Sequence, residues 1–507
     1  MAGGLPAELK RVNLADRFGY DHGSSRFETS RTLTDLKTQN QAPAQGIFTP
    51  MTSSTTQIND AALNSARRKA YLHLVPLLFV CYVVAYIDRA NVAIAKLGME
   101  KDVRLENFNS DTFGYGMGIF FVGYLLLEIP GTLIVERWSA RKWISRIMIT
   151  WGILASLTAF VTKPWHFYTV RFLLGLGEAG FYPGVIVFLT HWFPKSDRTK
   201  ALALFMIGSP IAQVVSPPLS ERLMRIGTNG NAALFGLSGW QWVFMFWGLP
   251  AVILGMIVLM KLVDKPRQAK WLTHEEREAL ETALEKERNS QLETTGHMTV
   301  MQALSNPRVV ILAIAYFFVV TGNYGMEMYM PSILESWYNL KIKDVAFLVI
   351  IPPIGSLIGM ILVGWNSDRT HERTFHAALP IIIGSLALFL TPFSNGNKTM
   401  TIVLFTIGMT GLKAYLPAFW SLPNQFLSAS AAAASIGMIN SFGNLGGAVG
   451  PSVMGKVKEI TNDYNYGLWY LAVSMMISAI IIIKIGTSAK ARARNRADAE
   501  QRKAEKA

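Results

Sequence analysis

The sequence predicts an all-α membrane protein: twelve transmembrane helices arranged as two pseudo-symmetric six-helix bundles. Three observations predict it. Just over half of the 507 residues are hydrophobic, mean hydropathy is +0.28, and only 16% are charged, against roughly 25% in soluble domains. Twelve apolar stretches of 19 to 26 residues recur along the chain, each long enough to cross roughly 30 Å of hydrocarbon as a helix. The longest polar interruption, 264–306, divides them six and six.

The stretches lie near 71–96, 113–135, 143–162, 166–191, 201–220 and 240–263, then 308–333, 345–366, 376–394, 400–421, 430–455 and 466–486. Before them, residues 1–65 are polar and rich in Ser, Thr, Gln and Asn, with no apolar signal segment. They read as a disordered tail. The N-terminal bundle is expected over 66–263 and the C-terminal bundle over 308–488. Between them lies a linker, 264–307. In it Thr273 and Glu276 form a capping box ahead of REALETALEKE, which predicts a short surface helix tying the halves together. A basic tail, 489–507, closes the chain.

An even number of crossings puts both ends on one side. Loops on that side (137–146, 195–200, 265–308, 369–373) hold 16 Lys plus Arg, against 10 in the opposite loops. Both termini are therefore expected in the cytoplasm, the protein being multi-pass in a plasma or inner membrane. The same distribution accounts for the net charge of +14. The basic residues sit between apolar runs and form no continuous patch, so no nucleic-acid partner is expected. The single cysteine, Cys81, permits no disulfide within the chain.

Charge inside the apolar spans carries the functional signal. Asp88 and Arg89 interrupt the first span, Arg171 and Glu178 the fourth. An ionisable group at mid-membrane depth costs several kcal/mol (about 3 on insertion scales) and usually faces a watery cavity on an ion or substrate pathway. Asp88 and Arg89 point about 100° apart on a helix, so one faces the cavity and the other a neighbouring helix. Arg171 and Glu178 share a face about 10 Å apart, with room for a first-span partner between them. The chemistry expected is that Asp88 and Glu178 carry protons, Arg89 grips a substrate carboxylate with its planar fork, and Arg171 holds or releases a carboxylate as protonation changes. A static buried ion-pair network is the alternative, disfavoured because such networks rarely contribute net stability.

After the second span comes Glu136-Arg137 with Arg141, and after the eighth Asp368-Arg369 with Arg373, an acid–Arg pair followed four residues later by Arg, at an offset of 232 residues. The run Gly364-Trp365-Asn366-Ser367-Asp368-Arg369 with Arg373 resembles the cytoplasmic loop motif of the major facilitator superfamily, and the resemblance extends over about 66–488. More narrowly, YIDRAN (86–91), GYLLLEIPG (123–131), RFLLGLGEAGFYPG (171–184), FWSLP (419–423) and INSFGNLGGAVGP (439–451) are similar to segments of the anion:cation symporter family of bacteria and fungi. Its members include sugar-acid, tartrate and phthalate permeases.

The resemblance implies the major facilitator fold, alternating access and proton-coupled import of a small organic anion: a sugar acid, hydroxy acid or aromatic carboxylate. Sodium is the alternative coupling ion. It also implies that acids at the positions of Asp88 and Glu178 serve proton coupling and the first-span Arg89 the anion, and that the hydroxyls of Tyr86 and Tyr124 face the cavity. Gln213, Asn440 and Asn444 are further candidates for substrate hydroxyls. Glu136, Arg137, Arg141, Asp368, Arg369 and Arg373 are expected to gate the cytoplasmic side. The first loop departs from the family pattern, with Glu136 for Asp and Ser139 for Gly, so altered gating contacts are expected there. Glu128, nearer its span end, reads as a packing or gate residue.

Glu327 and Lys413 are not part of the family pattern. They are expected either to pair across the seventh and tenth spans or, for Lys413, to meet a second substrate carboxylate. The partners expected are a small organic anion, protons and the lipid bilayer, with the protein a monomer. An anion exchanger or uniporter of the same fold, or a transport-inactive nutrient sensor, is the rival. The sequence holds no phosphate-binding loop, metal-ligand spacing or nucleophile elbow, so neither an enzyme nor a cofactor is expected.

Overall fold

The structure, a computed structural model, describes residues 60–227, 234–294, 306–423 and 429–504. Most of the tail expected over 1–65 therefore lies outside the described residues.

The described residues are helical almost throughout. The first half contains α1 (Asp60–Met99), α2 (Ser110–Arg137), α3 (Ala140–Leu157), α4 (Pro164–Glu178), α5 (Phe181–Thr190), α6 (Lys195–Met206), α7 (Gly208–Met224) and α8 (Gly239–Lys261). After α9 (His274–Thr294), the second half contains α10 (Pro307–Tyr338), α11 (Ile342–Leu348), α12 (Ile351–Thr370), α13 (Thr374–Leu390), α14 (Lys398–Ala414), α15 (Leu416–Phe419), α16 (Ala429–Thr461) and α17 (Asn465–Ala504). Ten helical stretches among the described residues are long and apolar enough to cross a membrane. The helices α2 and α16 are as long, 28 and 33 residues, and with them the twelve crossings read from the sequence are present.

Local chemistry sets the ends. Asn109 accepts a hydrogen bond from the Thr112 amide at the start of α2, and Ser139 caps α3 through the Lys142 amide, each satisfying a donor the helix leaves free. The fourth apolar run is not one helix. It breaks between Glu178 and Phe181, where Gly180 takes φ +83°, a conformation that a side chain disfavours. A Cβ there would also stand 3.0 Å from the Trp143 indole nitrogen. Irregular backbone at membrane depth is tolerated where it is buried in protein or lines a cavity, and the break at Gly180 adjoins the charged Glu178.

Within the first half, α1 packs on α7 and α8, α2 on α4, and α3 on α8. Within the second, α10 packs on α16 and α17, α12 on α14, and α13 on α14 and α17. The halves meet through α2 with α16, α1 with α10, and α7 with α11 and α12. On the face away from α9 this seam is tight. The Tyr329 hydroxyl donates to the Ser110 carbonyl across it at 2.7 Å. A Cβ on Gly455 would stand 2.4 Å from that same carbonyl oxygen.

The linker departs from expectation in two respects. Its helix, α9, is long, 21 residues, and it docks on the first half. Glu276 closes the capping box, accepting from the Thr273 amide at 2.9 Å. It also accepts from Ser65 (2.7 Å) and Lys69 (2.8 Å) of α1, and Glu287 pairs with Arg198 of α6 at 3.2 Å. These partners draw α1 out into a helix that starts at Asp60 rather than near residue 66. At the other end α17 continues as helix to Ala504, through much of the expected tail.

Candidate functional site

A central cavity lies between the halves. α1 contributes Tyr86 and Arg89, α2 Met117, Phe120 and Phe121, α4 Arg171, α7 Gln213, and α10 Tyr324, Glu327 and Met328. The cavity wall thus carries three of the charged residues singled out in the sequence, Arg89, Arg171 and Glu327, though not always in the expected pairings.

Arg89 is engaged with Glu178. Its Nε donates to Glu178 Oε1 at 2.7 Å, with Nη2 2.6 Å from the same oxygen. Its Nη1 reaches the Tyr324 hydroxyl of the other half at 3.5 Å, and the Tyr124 and Phe120 rings flank it at 5.3 and 5.7 Å. A first-span residue, Arg89, thus contacts Glu178, and it shares the Phe120 ring with Arg171. The second carboxylate oxygen of Glu178 has no hydrogen-bond partner among the described residues. Glu178 borders a second, smaller cavity rather than the central one, shared with Tyr82, Tyr86, Arg89, Tyr124 and Tyr182. The break at Gly180 places this carboxylate at the last residue of α4, where the chain turns away and leaves space.

Asp88 points elsewhere, as the 100° offset from Arg89 requires. It is 1% exposed, lines neither cavity, and accepts from the Trp151 indole N–H at 2.9 Å. The two acids, paired in the sequence reading, sit in different surroundings.

Arg171 is also 1% exposed. Its guanidinium lies 4.9 Å from the Phe120 ring and 3.0 Å, through Nη2, from the Met117 sulfur. Its Nε has no partner, and no carboxylate approaches it within 4.0 Å among the described residues. A guanidinium at the cavity wall without a counter-charge in contact is the group best placed to meet an anion.

Glu327 and Lys413 pair with each other at 2.7 Å. Gln213 donates to the same carboxylate at 3.2 Å, and the Lys413 ammonium lies 3.5 Å from the Tyr86 hydroxyl. Both contacts cross between halves. The structure holds Lys413 against Glu327 rather than leaving it free. Asn440 and Asn444 are placed at the α2–α16 seam, donating to Glu128 at 2.9 and 3.5 Å. They are not among the residues lining the two cavities.

The loop residues lie apart from the cavity, and each contact stays within its own half. Asp368 accepts from Arg373 at 2.6 Å, and Arg369 stacks over Trp365 at 5.5 Å. The Arg141 amide donates to Asp264 at 2.9 Å, and the Ser139 hydroxyl to the same carboxylate at 2.7 Å. The side chains of Glu136 and Arg137 lie outside the described residues.

Sequence reasoning passed over two residues. Trp151, an apolar residue in an apolar run, carries no signal that it satisfies Asp88. Lys96 stands at the end of the first span, where a lysine ordinarily snorkels to the interface, yet it is fully buried. Its ammonium sits 4.0 Å over the Tyr329 ring of the other half, with Ser110 Oγ at 3.5 Å and Glu100 at 3.6 Å. The seven-residue spacing from Arg89, which puts both on one face of α1, is the one hint.

The Major Facilitator Superfamily model matches residues 78–451. The chain is 41% identical over 423 residues to a putative tartrate transporter of Agrobacterium vitis, covering 83% of this chain and 91% of that one. It is 37% identical to a quinolone resistance transporter of Acinetobacter baumannii, covering 82% and 93%. Among solved structures, a bacterial homologue of the lysosomal transporter Spinster superposes with a TM-score of 0.63 at 16% identity, covering 84% of this chain and 96% of that one. With twelve membrane crossings among the described residues, in two packed halves around a charged central cavity, the chain belongs to the major facilitator superfamily, a multi-pass membrane transporter and not an enzyme.

Proposed function

We propose that the protein is a proton-coupled symporter that imports a small organic anion by alternating access, with both termini cytoplasmic. The observation that carries this reading is the arrangement of three charges: Arg89 and Arg171 line the central cavity, and Glu178, which borders the smaller cavity that shares Arg89, holds Arg89. Glu178 occupies Arg89, while Arg171 faces the cavity without a carboxylate partner among the described residues. A substrate carboxylate arriving at Arg171 competes with Glu178 for Arg89. Protonating Glu178 neutralises the competitor and frees the second guanidinium. Proton and anion therefore favour each other's binding, which is the thermodynamic content of symport. Tyr86, Tyr124, Gln213, Asn440 and Asn444 orient the cargo or the groups that hold it as the halves move. The loop clusters of Glu136, Arg137 and Arg141 and of Asp368, Arg369 and Arg373 close the cytoplasmic side in the opposite state. The names of relatives, tartrate transporters at 41% and 39% identity, support an organic acid as cargo.

In this reading Asp88 carries a second proton. Import of a monoanion against an inside-negative potential costs about 2.3 kcal/mol per 100 mV. One proton cancels the charge, and two let the potential drive uptake. The sealing of Asp88 behind Trp151 favours a second reading, in which only Glu178 cycles and transport is electroneutral. Proteoliposomes separate the two with a monoanion: current accompanying benzoate uptake supports two protons, and benzoate uptake without current supports one. For the symport itself, Glu178→Gln is expected to abolish accumulation driven by a pH gradient while substrate exchange persists. Loss of both activities in a folded variant refutes the coupling role.

A further inference from the structure

The walls of the central cavity and its polar groups point to different halves of a cargo molecule. Four methionines, Met117, Met328, Met330 and Met409, line it together with Phe120 and Phe121. The two phenylalanines meet edge to face at 5.1 Å, and Phe121 reaches the Tyr324 ring of the other half at 4.5 Å. These rings form a wall beside the Arg171 guanidinium, which lies over Phe120.

The polar groups of the cavity are largely bound to one another. Gln213 donates to Glu327, Lys413 reaches Tyr86, and Arg89 reaches Tyr324. Among the described lining residues, Arg171 is the cation left with an unpaired donor. A cargo entering this space finds that guanidinium and, around it, apolar and polarisable surface. Flexible thioethers adapt to flat, irregular shapes and contact rings favourably.

We propose that the cavity selects a carboxylate carried on a flat apolar body, an aromatic carboxylate, over a small polyhydroxy acid. This rests on the organic-anion reading above and narrows its cargo. The carboxylate meets Arg171, and the ring lies along Phe120, Phe121 and the methionines. A polyhydroxy acid must bury hydroxyls for which the cavity holds few uncommitted partners. Each hydroxyl left unpaired weakens binding roughly 5- to 150-fold.

Equilibrium binding of 2-naphthoate, benzoate and tartrate to the purified full-length chain tests this. The expected order is naphthoate, then benzoate, then tartrate, with at least about 30-fold between the extremes. Arg171→Gln is expected to weaken all three. Met328→Thr is expected to weaken naphthoate about tenfold and tartrate by less; an unaltered thermal unfolding temperature shows that the variant is folded. Tartrate binding as tightly as naphthoate overturns the proposal and leaves organic-anion transport standing. Naphthoate binding that ignores Arg171→Gln also overturns it. If the folded wild-type protein binds none of the three, the organic-anion reading falls, and this one with it.

Discussion

Lys96 offers a test in which two physical effects have opposite signs. In this structure its ammonium is fully buried where the halves close, over the Tyr329 ring. That contact crosses the seam and holds it shut. A desolvated cation–π contact is worth about 2 kcal/mol. Against it stands the removal of the ammonium from water, which costs several kcal/mol even after relaxation (about 20 in the idealised Born limit). Glu100, the nearest carboxylate, compensates at 3.6 Å and from a partly exposed position.

When the halves separate here, Tyr329 leaves with the second half, while Glu100, Ser110 and Phe113 stay with Lys96, and water reaches the ammonium. Hydration outweighs the lost ring contact, so Lys96 pushes the seam open. Replacing buried ion pairs with apolar residues of similar volume often stabilises by about 1–4 kcal/mol. Lys96→Met is therefore expected to reduce the population open on this face by roughly 5- to 800-fold. Tyr329→Leu removes only the holding side and is expected to raise it.

The readout is maleimide labelling at Ser452→Cys, a position whose hydroxyl bonds the Gly114 carbonyl across the seam at 3.1 Å, in a background lacking the buried Cys81. Slower labelling and slower uptake are expected for Lys96→Met. Faster labelling refutes this reasoning and means that the cation–π contact outweighs hydration of the ammonium.

The same seam predicts that Gly455→Ala opens it, since the new Cβ would stand 2.4 Å from the Ser110 carbonyl oxygen and 2.6 Å from the Tyr329 hydroxyl; labelling at Ser452→Cys should accelerate, and an unchanged rate refutes the close approach. Trp151→Phe strands the Asp88 carboxylate and is expected to lower stability by about 1.5–3 kcal/mol in thermal unfolding of the detergent-solubilised protein, with a smaller loss in an Asp88→Asn background; equal losses in both backgrounds remove the bond's significance. On the loop after α1, the Arg104 guanidinium, aided by the Trp240 indole, holds the Asp102 carboxyl at about 2, below the roughly 3.9 of an unfolded chain. Its stabilisation is present above the unfolded value and lost as pH falls through about 2. Asp102→Asn should therefore unfold at lower temperature than wild type at pH 6–8, with the gap closing between pH 4 and 2; a gap independent of pH refutes it.

The sequence was most legible where a polar group is expensive. Asp88, Arg89, Arg171 and Glu178 announce themselves because lipid-embedded charge demands a reason, and the structure places Arg89 and Arg171 at one cavity with Glu178 bonded to Arg89. Pairing was less legible, because it depends on helix rotation and on partners from distant spans. The Arg89–Glu178 contact joins residues 89 apart, and the donor to Asp88 is a tryptophan that looks like any other apolar residue in α3. The break at Gly180 is equally hidden, since hydropathy runs unbroken from 166 to 191 and only the left-handed backbone marks the turn. Asn440 and Asn444 read as cavity residues by type. Yet α16 packs so closely on α2, through Gly114, Gly118, Gly455 and Ser452, that the nearest acceptor, Glu128, takes them both. Lys96 escaped notice because a lysine at a span end is ordinarily explained by the interface.

The charges of the core also explain why two ions must travel together under the proposed symport. Asp88, Arg89, Arg171 and Glu178 sum to zero when all are ionised, and Lys413 with Glu327 sum to zero in the other half. A monoanion entering alone leaves one uncompensated negative charge in a low-dielectric space, and a proton alone leaves one positive. Either carries a charge penalty of about 3 kcal/mol or more at membrane depth, enough to disfavour the partly loaded protein by more than a hundredfold. Anion plus one proton on Glu178 restores neutrality and leaves Arg89 and Arg171 both turned to the cargo. A second proton, on Asp88, would give the loaded core a net positive charge, so the two-proton cycle requires that Asp88 load only where water or a further carboxylate compensates it. Behind Trp151 in this state Asp88 has no further carboxylate in contact among the described residues. A dicarboxylate cargo would supply the missing negative charge, so the number of protons moved should rise by one from benzoate to a dianion such as tartrate. Equal proton counts for the two would mean that core neutrality does not set the stoichiometry.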